Sequence, residues 1–145
     1  MSATYADTSF LCAVYLPESN SPRVMQYLAA HRRPLGFTSF QLVELRNAIR
    51  LAVFRRYLNG QQAEAALAQI EMDRDSNDFE EISLIWPDVV ETAERLSMAH
   101  TARLGIRTLD LLHVAVAKTI GAKIFLTFDV RQHALAKAAG LKVGP

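Results

Sequence analysis

The chain has 145 residues, of which 50% are hydrophobic and 21% charged, and its net charge is +1. This length predicts one domain, 1–145, with a buried core, and the composition excludes a disordered or fibrous chain. The near-zero net charge does not decide for or against a nucleic acid partner, because the local charge of a pocket matters more than the sum. Cys12 is the only cysteine, which excludes an internal disulfide and a cysteine-based zinc site.

The sequence shows no targeting or membrane segment. Its first seven residues contain neither the basic region nor the long apolar region of a secretory signal peptide. No apolar stretch approaches the roughly 18 residues that a membrane-spanning helix requires. We therefore expect a cytoplasmic protein.

Short strand-like runs alternate with longer helical patterns along the chain. In chain order, the predicted elements are strand 4–6, helix 10–16, a helix that begins near Pro22, strand 35–38, helix 40–58, helix 61–74, strand 79–84, helix 88–104, helix 108–120, strand 123–128, helix 130–139 and strand 141–143. Strands separated by helices favour right-handed crossovers. The alternation therefore predicts a three-layer α/β/α domain with a mostly parallel sheet.

The predicted helix 40–58 is apolar on more than one side. Stepping its residues by 100° gathers one apolar face, made of Leu42, Leu45, Ile49, Ala52 and Val53. Further apolar residues cover much of the remaining surface: Val43, Leu51, Phe54, Tyr57 and Leu58. In a domain of this size, the second apolar face indicates contact with another chain as well as with the core.

Four acidic residues lie next to strand ends or helix starts. Asp7 directly follows the first strand, and Asp129 directly follows the strand 123–128. Glu44 lies in the first turns of the helix after the second strand, and Asp110 lies two residues past Thr108, the expected N-cap of its helix. Ligands of open parallel sheets bind outside the carboxyl ends of the strands, so one sheet edge is expected to collect all four carboxylates.

Each carboxylate also has a purely structural interpretation. The sequence from Asp129 to Gln132 fits a capping box, in which Asp129 caps the helix and Gln132 returns the hydrogen bond. Asp7 fits a helix cap, Asp110 fits a charge that complements the helix dipole, and Glu44 fits a solvated helix residue. Capping alone gives no reason for the four residues to converge, so their joint placement favours a functional site.

Convergent carboxylates favour a divalent cation. Two ionised carboxylates about 4 Å apart repel by roughly 4 kcal/mol at an effective dielectric near 20, and a divalent cation removes that penalty. Ligand sets made only of oxygen suit Mg²⁺ or Mn²⁺, which activate water and stabilise charge on a phosphoryl oxygen. These arguments predict phosphodiester hydrolysis, with a metal held by Asp7, Glu44, Asp110 and Asp129.

With these acids in these positions, the chain resembles the PIN-domain nucleases and, within them, the VapC-type toxins of bacterial toxin–antitoxin pairs. The resemblance covers about 120 residues and depends on four segments in order: Asp7-Thr8-Ser9, Glu44 in the third helix, the run from Leu109 to Ala117, and Leu126-Thr127-Phe128-Asp129. It implies a five-stranded parallel sheet and a Mg²⁺- or Mn²⁺-dependent endoribonuclease acting on RNA. It further implies a homodimer that is held inactive by a small antitoxin protein.

The same resemblance assigns roles to individual residues. The acidic quartet matches Asp7, Glu44, Asp110 and Asp129, and the supporting hydroxyls match Ser9 and Thr127. The residues after Asp129 are Val130, Arg131 and Gln132, so the fifth acid of some relatives is missing.

Other side chains are weighed on position alone. Arg107 and Arg131 flank two of the acids and are candidates for binding substrate phosphates, with surface ion pairing as the equal alternative. His113 shares a helix face with Asp110, and we interpret it as a packing or hydrogen-bonding residue near the site rather than a general base.

Other functions are weighed against this one. A phosphatase with an aspartyl-phosphate at Asp7 needs a second acid two residues on, where the chain has Ser9. A phosphorylated receiver domain needs an acid after a middle strand, and none lies near Leu84 before Asp88. A non-toxin RNA-processing PIN nuclease and an inactive RNA- or protein-binding PIN module stay open. Unused buried carboxylates are costly, which disfavours the inactive module, and an adjacent reading frame for a small DNA-binding protein would favour the toxin.

Overall fold

In the part of the chain that the structure describes, five short strands form one sheet in which every pairing is parallel. The strands are β1 (Thr4–Ala6), β2 (Leu35–Phe37), β3 (Phe79–Glu81), β4 (Ile124–Leu126) and β5 (Lys142–Gly144). Their order across the sheet is β3-β2-β1-β4-β5, so β1 is central and β4 lies beside it. The structure, a computed structural model, describes residues 4–32 and 34–145. Residues 1–3, part of the segment in which we expect no signal peptide, lie outside the described residues.

Helices cover both faces of this sheet. They are α1 (Thr8–Tyr15), α2 (Ser21–Ala30), α3 (Ser39–Phe54), α4 (Gly60–Asp75), α5 (Trp86–Leu96), α6 (Ala102–Leu104), α7 (Thr108–Thr119) and α8 (Val130–Ala138). A π-helical segment, Ser97–Thr101, joins α5 to α6. None of the helices within residues 4–32 and 34–145 combines the length and the apolar character that crossing a bilayer requires.

The core consists of two apolar clusters, one on each face of the sheet. Neighbouring residues of one strand enter different clusters: Ala6 and Leu126 contact the side of α1 to α4, whereas Tyr5 and Phe125 contact the side of α5, α7 and α8. This division follows from the strand geometry, because successive side chains point to opposite faces. The three-layer α/β/α architecture predicted from the sequence is therefore confirmed.

Two predicted element ends lie three or more residues from the observed ends, and one predicted helix is interrupted. Helix α3 ends at Phe54 rather than at residue 58, because the backbone turns at Arg56 (φ 63°) and returns Leu58 to the core. Strand β3 ends at Glu81 rather than at residue 84, because its neighbour β2 already ends at Phe37. The predicted helix 88–104 is one helical stretch interrupted by the π-helical segment.

Candidate active site

Asp7 lies at the carboxyl end of the central strand and is fully buried. As the N-cap of α1, its Oδ1 accepts a hydrogen bond from the backbone N–H of Phe10 at 2.9 Å. Ser9 Oγ donates to the same oxygen at 2.7 Å, and Thr127 Oγ1 donates to Oδ2 at 2.6 Å. The fold therefore fixes both carboxylate oxygens of Asp7 from two different chain segments.

Glu44 reaches the site from α3 because that helix is tied to the end of β1. Thr38 and Gln41 form a complete capping box at the start of α3, and Gln41 Nε2 donates to the carbonyl oxygen of Ala6 at 2.7 Å. Glu44 lies one turn further along, where its Oε2 accepts a hydrogen bond from Thr8 Oγ1 at 3.0 Å. The same oxygen contacts Nε2 of His113.

His113 links Glu44 to the centre of the sheet. Its ring is only 1% exposed, and its Nδ1 hydrogen-bonds to the hydroxyl of Tyr5 at 2.7 Å. Burial, together with the charges of Asp7 and Glu44, raises the pKa of Tyr5 well above its ordinary value. The phenol is therefore neutral at physiological pH, and His113 serves as the packing and hydrogen-bonding residue that the sequence indicated.

Asp110 and Asp129 occupy the starts of two neighbouring helices. Asp129 is the N-cap of α8, with its Oδ1 accepting from the backbone N–H of Gln132 at 2.8 Å. The side chain of Gln132 instead donates from Nε2 to Oδ1 of Asp110 at 2.9 Å. The complete capping box predicted for α8 was thus wrong, as was the prediction of Thr108 as the N-cap of α7, because Arg107 occupies that position without a side-chain cap.

The pKa values of Asp7, Asp110 and Glu44 are shifted in different directions. Burial raises the pKa of Asp7, although the hydrogen bonds from Thr127, Ser9 and Phe10 partly offset it. Burial also raises the pKa of Asp110, and the nearby negative charge of Asp129 adds to that effect. The pKa of Glu44 is held below its ordinary value. Partial burial opposes this shift, but the interactions with His113 and Thr8 outweigh it.

Hydrogen bonds join these residues into two groups. Thr127 connects Asp7 to Asp129, because its Oγ1 also accepts from the Asp129 N–H at 2.9 Å, and Gln132 connects Asp129 to Asp110. Glu44 belongs to a second group with Thr8 and His113. Among residues 4–32 and 34–145, no three acidic, histidine or cysteine side chains are grouped closely enough to hold a metal ion as they stand.

The Asp110–Asp129 side of the site is open. An exposed cavity there is lined by Arg107, Asp110, Phe128, Asp129, Val130 and Arg131. The two arginines predicted for phosphate binding therefore lie beside the two accessible carboxylates. Cationic side chains at the rim of an acidic cavity suit a substrate whose charge is carried by phosphates.

Three contributors to the site escaped sequence reasoning: Tyr5, Thr8 and the side chain of Gln132. Tyr5 and Thr8 flank Asp7, and only the position of His113 in the fold reveals their role. The sequence did contain a signal for Gln132. A threonine two residues before the cap, Thr127, is able to accept the cap N–H of Asp129, which a glutamine accepts in a complete capping box.

These features define a class of protein: a parallel α/β domain with Asp7 and Asp129 at the carboxyl ends of the adjacent strands β1 and β4, and with Asp110 linked to Asp129 through Gln132. A sequence profile of the PIN domain matches residues 4–138, and the chain belongs to that family. PIN domain nucleases are in general hydrolytic nucleases that use divalent metals. A comparison with curated protein sequences found no significant match.

Solved structures with the same fold include one that is described as a toxin. VapC20 of Mycobacterium tuberculosis, described as a sarcin–ricin loop cleaving toxin, is 22% identical, with a TM-score of 0.68 over 95% of each chain. FitAcB of Neisseria gonorrhoeae is 18% identical, with a TM-score of 0.69 over 98% of this chain and 96% of that one. DNA-bound VapBC of Salmonella typhimurium is 15% identical, with a TM-score of 0.64 over 99% and 98%.

Proposed function

We propose that this protein is a metal-dependent endoribonuclease that hydrolyses RNA phosphodiester bonds as a VapC-type toxin. The observation that carries the proposal is the hydrogen-bonded connection of Asp7, Asp129 and Asp110 at the sheet edge of a PIN domain. The structural likeness to VapC20, a toxin that cleaves the sarcin–ricin loop, supports RNA as the substrate class.

The donor set fits a divalent cation in its chemistry. Asp110 and Asp129 are partly exposed oxygen donors, close enough for one charge to raise the pKa of the other. We propose that these two residues hold Mg²⁺ or Mn²⁺ together with Asp7 and Glu44, because a cation offsets their mutual repulsion. When bound, the metal supplies a water nucleophile at neutral pH and stabilises charge on the phosphoryl oxygens.

The protein's own residues orient and bind. Ser9 and Thr127 hold the Asp7 carboxylate in one orientation, so that it costs no reorganisation when the substrate arrives. Arg107 and Arg131 attract the RNA backbone and fix its position over the acidic cavity. Tyr5 and His113 hold Glu44 at the inner side of the site.

The test is cleavage of total RNA by the wild-type protein and by Asp7→Asn, each with Mg²⁺ and with EDTA. Cleavage by the wild type is expected with Mg²⁺, to stop in EDTA and to return with Mn²⁺. Asp7→Asn is expected to fold and to be inactive, because asparagine is isosteric but does not neutralise a cation. Activity of Asp7→Asn with Mg²⁺ would reject the assignment of the acidic site, and wild-type activity in EDTA would indicate metal-free chemistry.

We also propose two protein partners, an antitoxin and a second copy of this chain. The VapBC and FitAcB assemblies among the similar structures support a small antitoxin partner. The outward apolar side chains at and after α3 support a homodimer: Val43 is 69% exposed, Phe54 84% and Tyr57 76%. Light scattering should give twice the chain mass for the wild type and the chain mass for Phe54→Asp; a monomeric wild type would remove the dimer proposal.

A further inference from the structure

Among the described helices, three begin with a cap residue that is followed three positions later by glutamine: α3, α4 and α8. In α3 and α4 the box is complete: the cap side chain accepts from the glutamine N–H, and the glutamine side chain accepts from the cap N–H. The corresponding distances in α4, between Asn59 and Gln62, are both 2.8 Å. The third pair, Asp129 and Gln132, keeps only the first of these hydrogen bonds.

In α8 both groups of the missing hydrogen bond, the Asp129 N–H and the Gln132 side chain, have other partners. Thr127 Oγ1 accepts the Asp129 N–H at 2.9 Å, so this donor does not need Gln132. The Gln132 amide is thereby free to cross from α8 to α7, where Nε2 donates to Oδ1 of Asp110. The orientation of the amide follows from chemistry, because a carboxylate oxygen only accepts.

This arrangement leaves an atom unsatisfied. Gln132 is 6% exposed, and among the described residues its Oε1 is buried without a hydrogen-bond partner. A complete capping box of the kind in α3 and α4 would satisfy that oxygen. A buried acceptor without a partner destabilises a protein. The contact with Asp110 is therefore made at the cost of the hydrogen bond that Oε1 would accept in a complete capping box.

We infer that Gln132 is a positioning residue, which holds the carboxylates of Asp110 and Asp129 side by side at the cation site. The backbone N–H of Gln132 donates to Asp129 and its side-chain amide donates to Asp110, so a single residue connects two carboxylates that repel each other. The inference rests on the proposed metal-dependent function. A residue outside the ligand set that orients ligands in this way sets the metal affinity of the site.

The test compares Mn²⁺ binding, measured by isothermal titration calorimetry, in the wild type, Gln132→Met and Gln62→Met. Methionine keeps the length of glutamine and removes its amide. In Gln132→Met the dissociation constant is expected to rise about 10- to 100-fold, the usual effect of losing a residue that orients a metal ligand. The unfolding temperature of the metal-free protein is expected to change little, because the lost contact is offset by removal of the unsatisfied Oε1.

Gln62→Met is the matched control, since it opens a complete box on the exposed start of α4. It is expected to show the opposite pattern, with lower stability and an unchanged dissociation constant. Unchanged Mn²⁺ affinity in Gln132→Met, with normal binding by the wild type, would overturn the inference alone. A wild-type protein that binds no Mn²⁺ would overturn the proposed function and this inference together.

A second measurement uses only the wild type and so does not depend on a variant that folds. The side-chain amide resonances of Gln132 and Gln62 are followed by NMR during titration with Mg²⁺. The Gln132 amide is expected to shift with the binding curve, because its acceptor Asp110 becomes a metal ligand, whereas the Gln62 amide stays in place. A Gln132 amide that does not respond to bound Mg²⁺ would overturn the inference.

Discussion

Asp7 and Asp110 belong to the same candidate site but are held in opposite ways. Asp7 is completely buried, and three donors from two chain segments occupy its oxygens. Asp110 is partly exposed beside the charge of Asp129, and the amide of Gln132 is its described hydrogen-bond donor. The inner carboxylate is therefore held by several donors from the fold. The outer pair is held by one residue, Gln132, through its backbone N–H and its side chain, and its mutual repulsion favours a bound cation.

After the loss of activity expected for Asp7→Asn, replacing an outer carboxylate should give the largest effect and should separate activity from stability. We predict that Asp110→Asn lowers kcat/KM for RNA about 10³-fold, which corresponds to the several kcal/mol of charge stabilisation that a bound metal supplies. The metal-free protein should be as stable as the wild type or more so, because the repulsion from Asp129 is removed. Single-turnover cleavage and urea unfolding in EDTA measure the two effects.

Asp88→Asn is the control for Asp110→Asn, since Asp88 also lies in the first turn of a helix, α5, but outside the site. It should leave cleavage unchanged. If Asp110→Asn kept kcat/KM within tenfold of the wild type, the outer pair would not be the cation site, and the contrast with Asp7 would lose its functional meaning.

Thr127→Val should break the inner arrangement, with the second largest effect. The substitution removes the donor to Asp7 Oδ2 and the acceptor of the Asp129 N–H. We predict a loss of about 2 kcal/mol in the free energy of unfolding at pH 7, because a buried carboxylate oxygen loses its partner. The loss should be smaller at pH 4, where protonated Asp7 carries no charge. Thr127→Ser, which keeps the hydroxyl, should stay close to the wild type.

The sequence predicted the parts of this site that depend on local rules. Asp7 and Asp129 follow buried strands, and a parallel sheet necessarily brings such positions to one edge, so the sheet and the location of these two residues were predictable. The periodicity of an α-helix likewise predicted the apolar face of α3, whose residues Leu45 and Ile49 are buried as expected. The alternation of strands and the periodicity of helices act over a few residues, and patterns in the sequence report them directly.

The connections across the fold were not predictable in the same way. The choice of Gln132 between Asp129 and Asp110 depends on how closely α8 approaches α7, and no local pattern encodes that distance. The contact between Glu44 and His113 likewise joins residues 69 positions apart. The end of α3 was missed because the left-handed backbone at Arg56 carries no glycine to signal it.

The pH dependence of the free energy of unfolding tests the buried state of Asp7 without any change to Asp110 or Asp129. The raised pKa of Asp7 means that the folded metal-free protein retains a proton that the unfolded chain releases near pH 4. The free energy of unfolding should therefore fall as the pH rises from about 4 through the raised folded value, by about 1.4 kcal/mol for each unit by which the pKa is raised. Asp110 contributes with the same sign.

Urea unfolding in EDTA between pH 4 and 8, on the wild type and Asp7→Asn, measures this dependence. The decline should be shallower in Asp7→Asn, which has no proton to lose at that position. Glu44 acts with the opposite sign, and its lowered pKa confines its contribution to the acidic end of this range and below, where it is the same in both proteins. Equal pH profiles for the two proteins would show that the buried Asp7 is not under electrostatic strain.

The smallest effect should come from the rim, where Arg131 lines the cavity beside Asp129. We predict that Arg131→Ala weakens RNA binding about fivefold, since a solvent-exposed phosphate contact is worth about 1 kcal/mol or less in free energy. The slope of log affinity against log salt should also fall by about 0.7, the value for one contact to a single strand. Arg95→Ala removes another exposed arginine, paired with Glu91 on α5, and should change neither quantity. Binding is measured in the Asp110→Asn background, where cleavage is expected to be about 10³-fold slower and so to interfere little. A salt slope that Arg131→Ala leaves unchanged would mean that the rim makes no phosphate contact there, and that the open side of the site receives the metal without the RNA backbone.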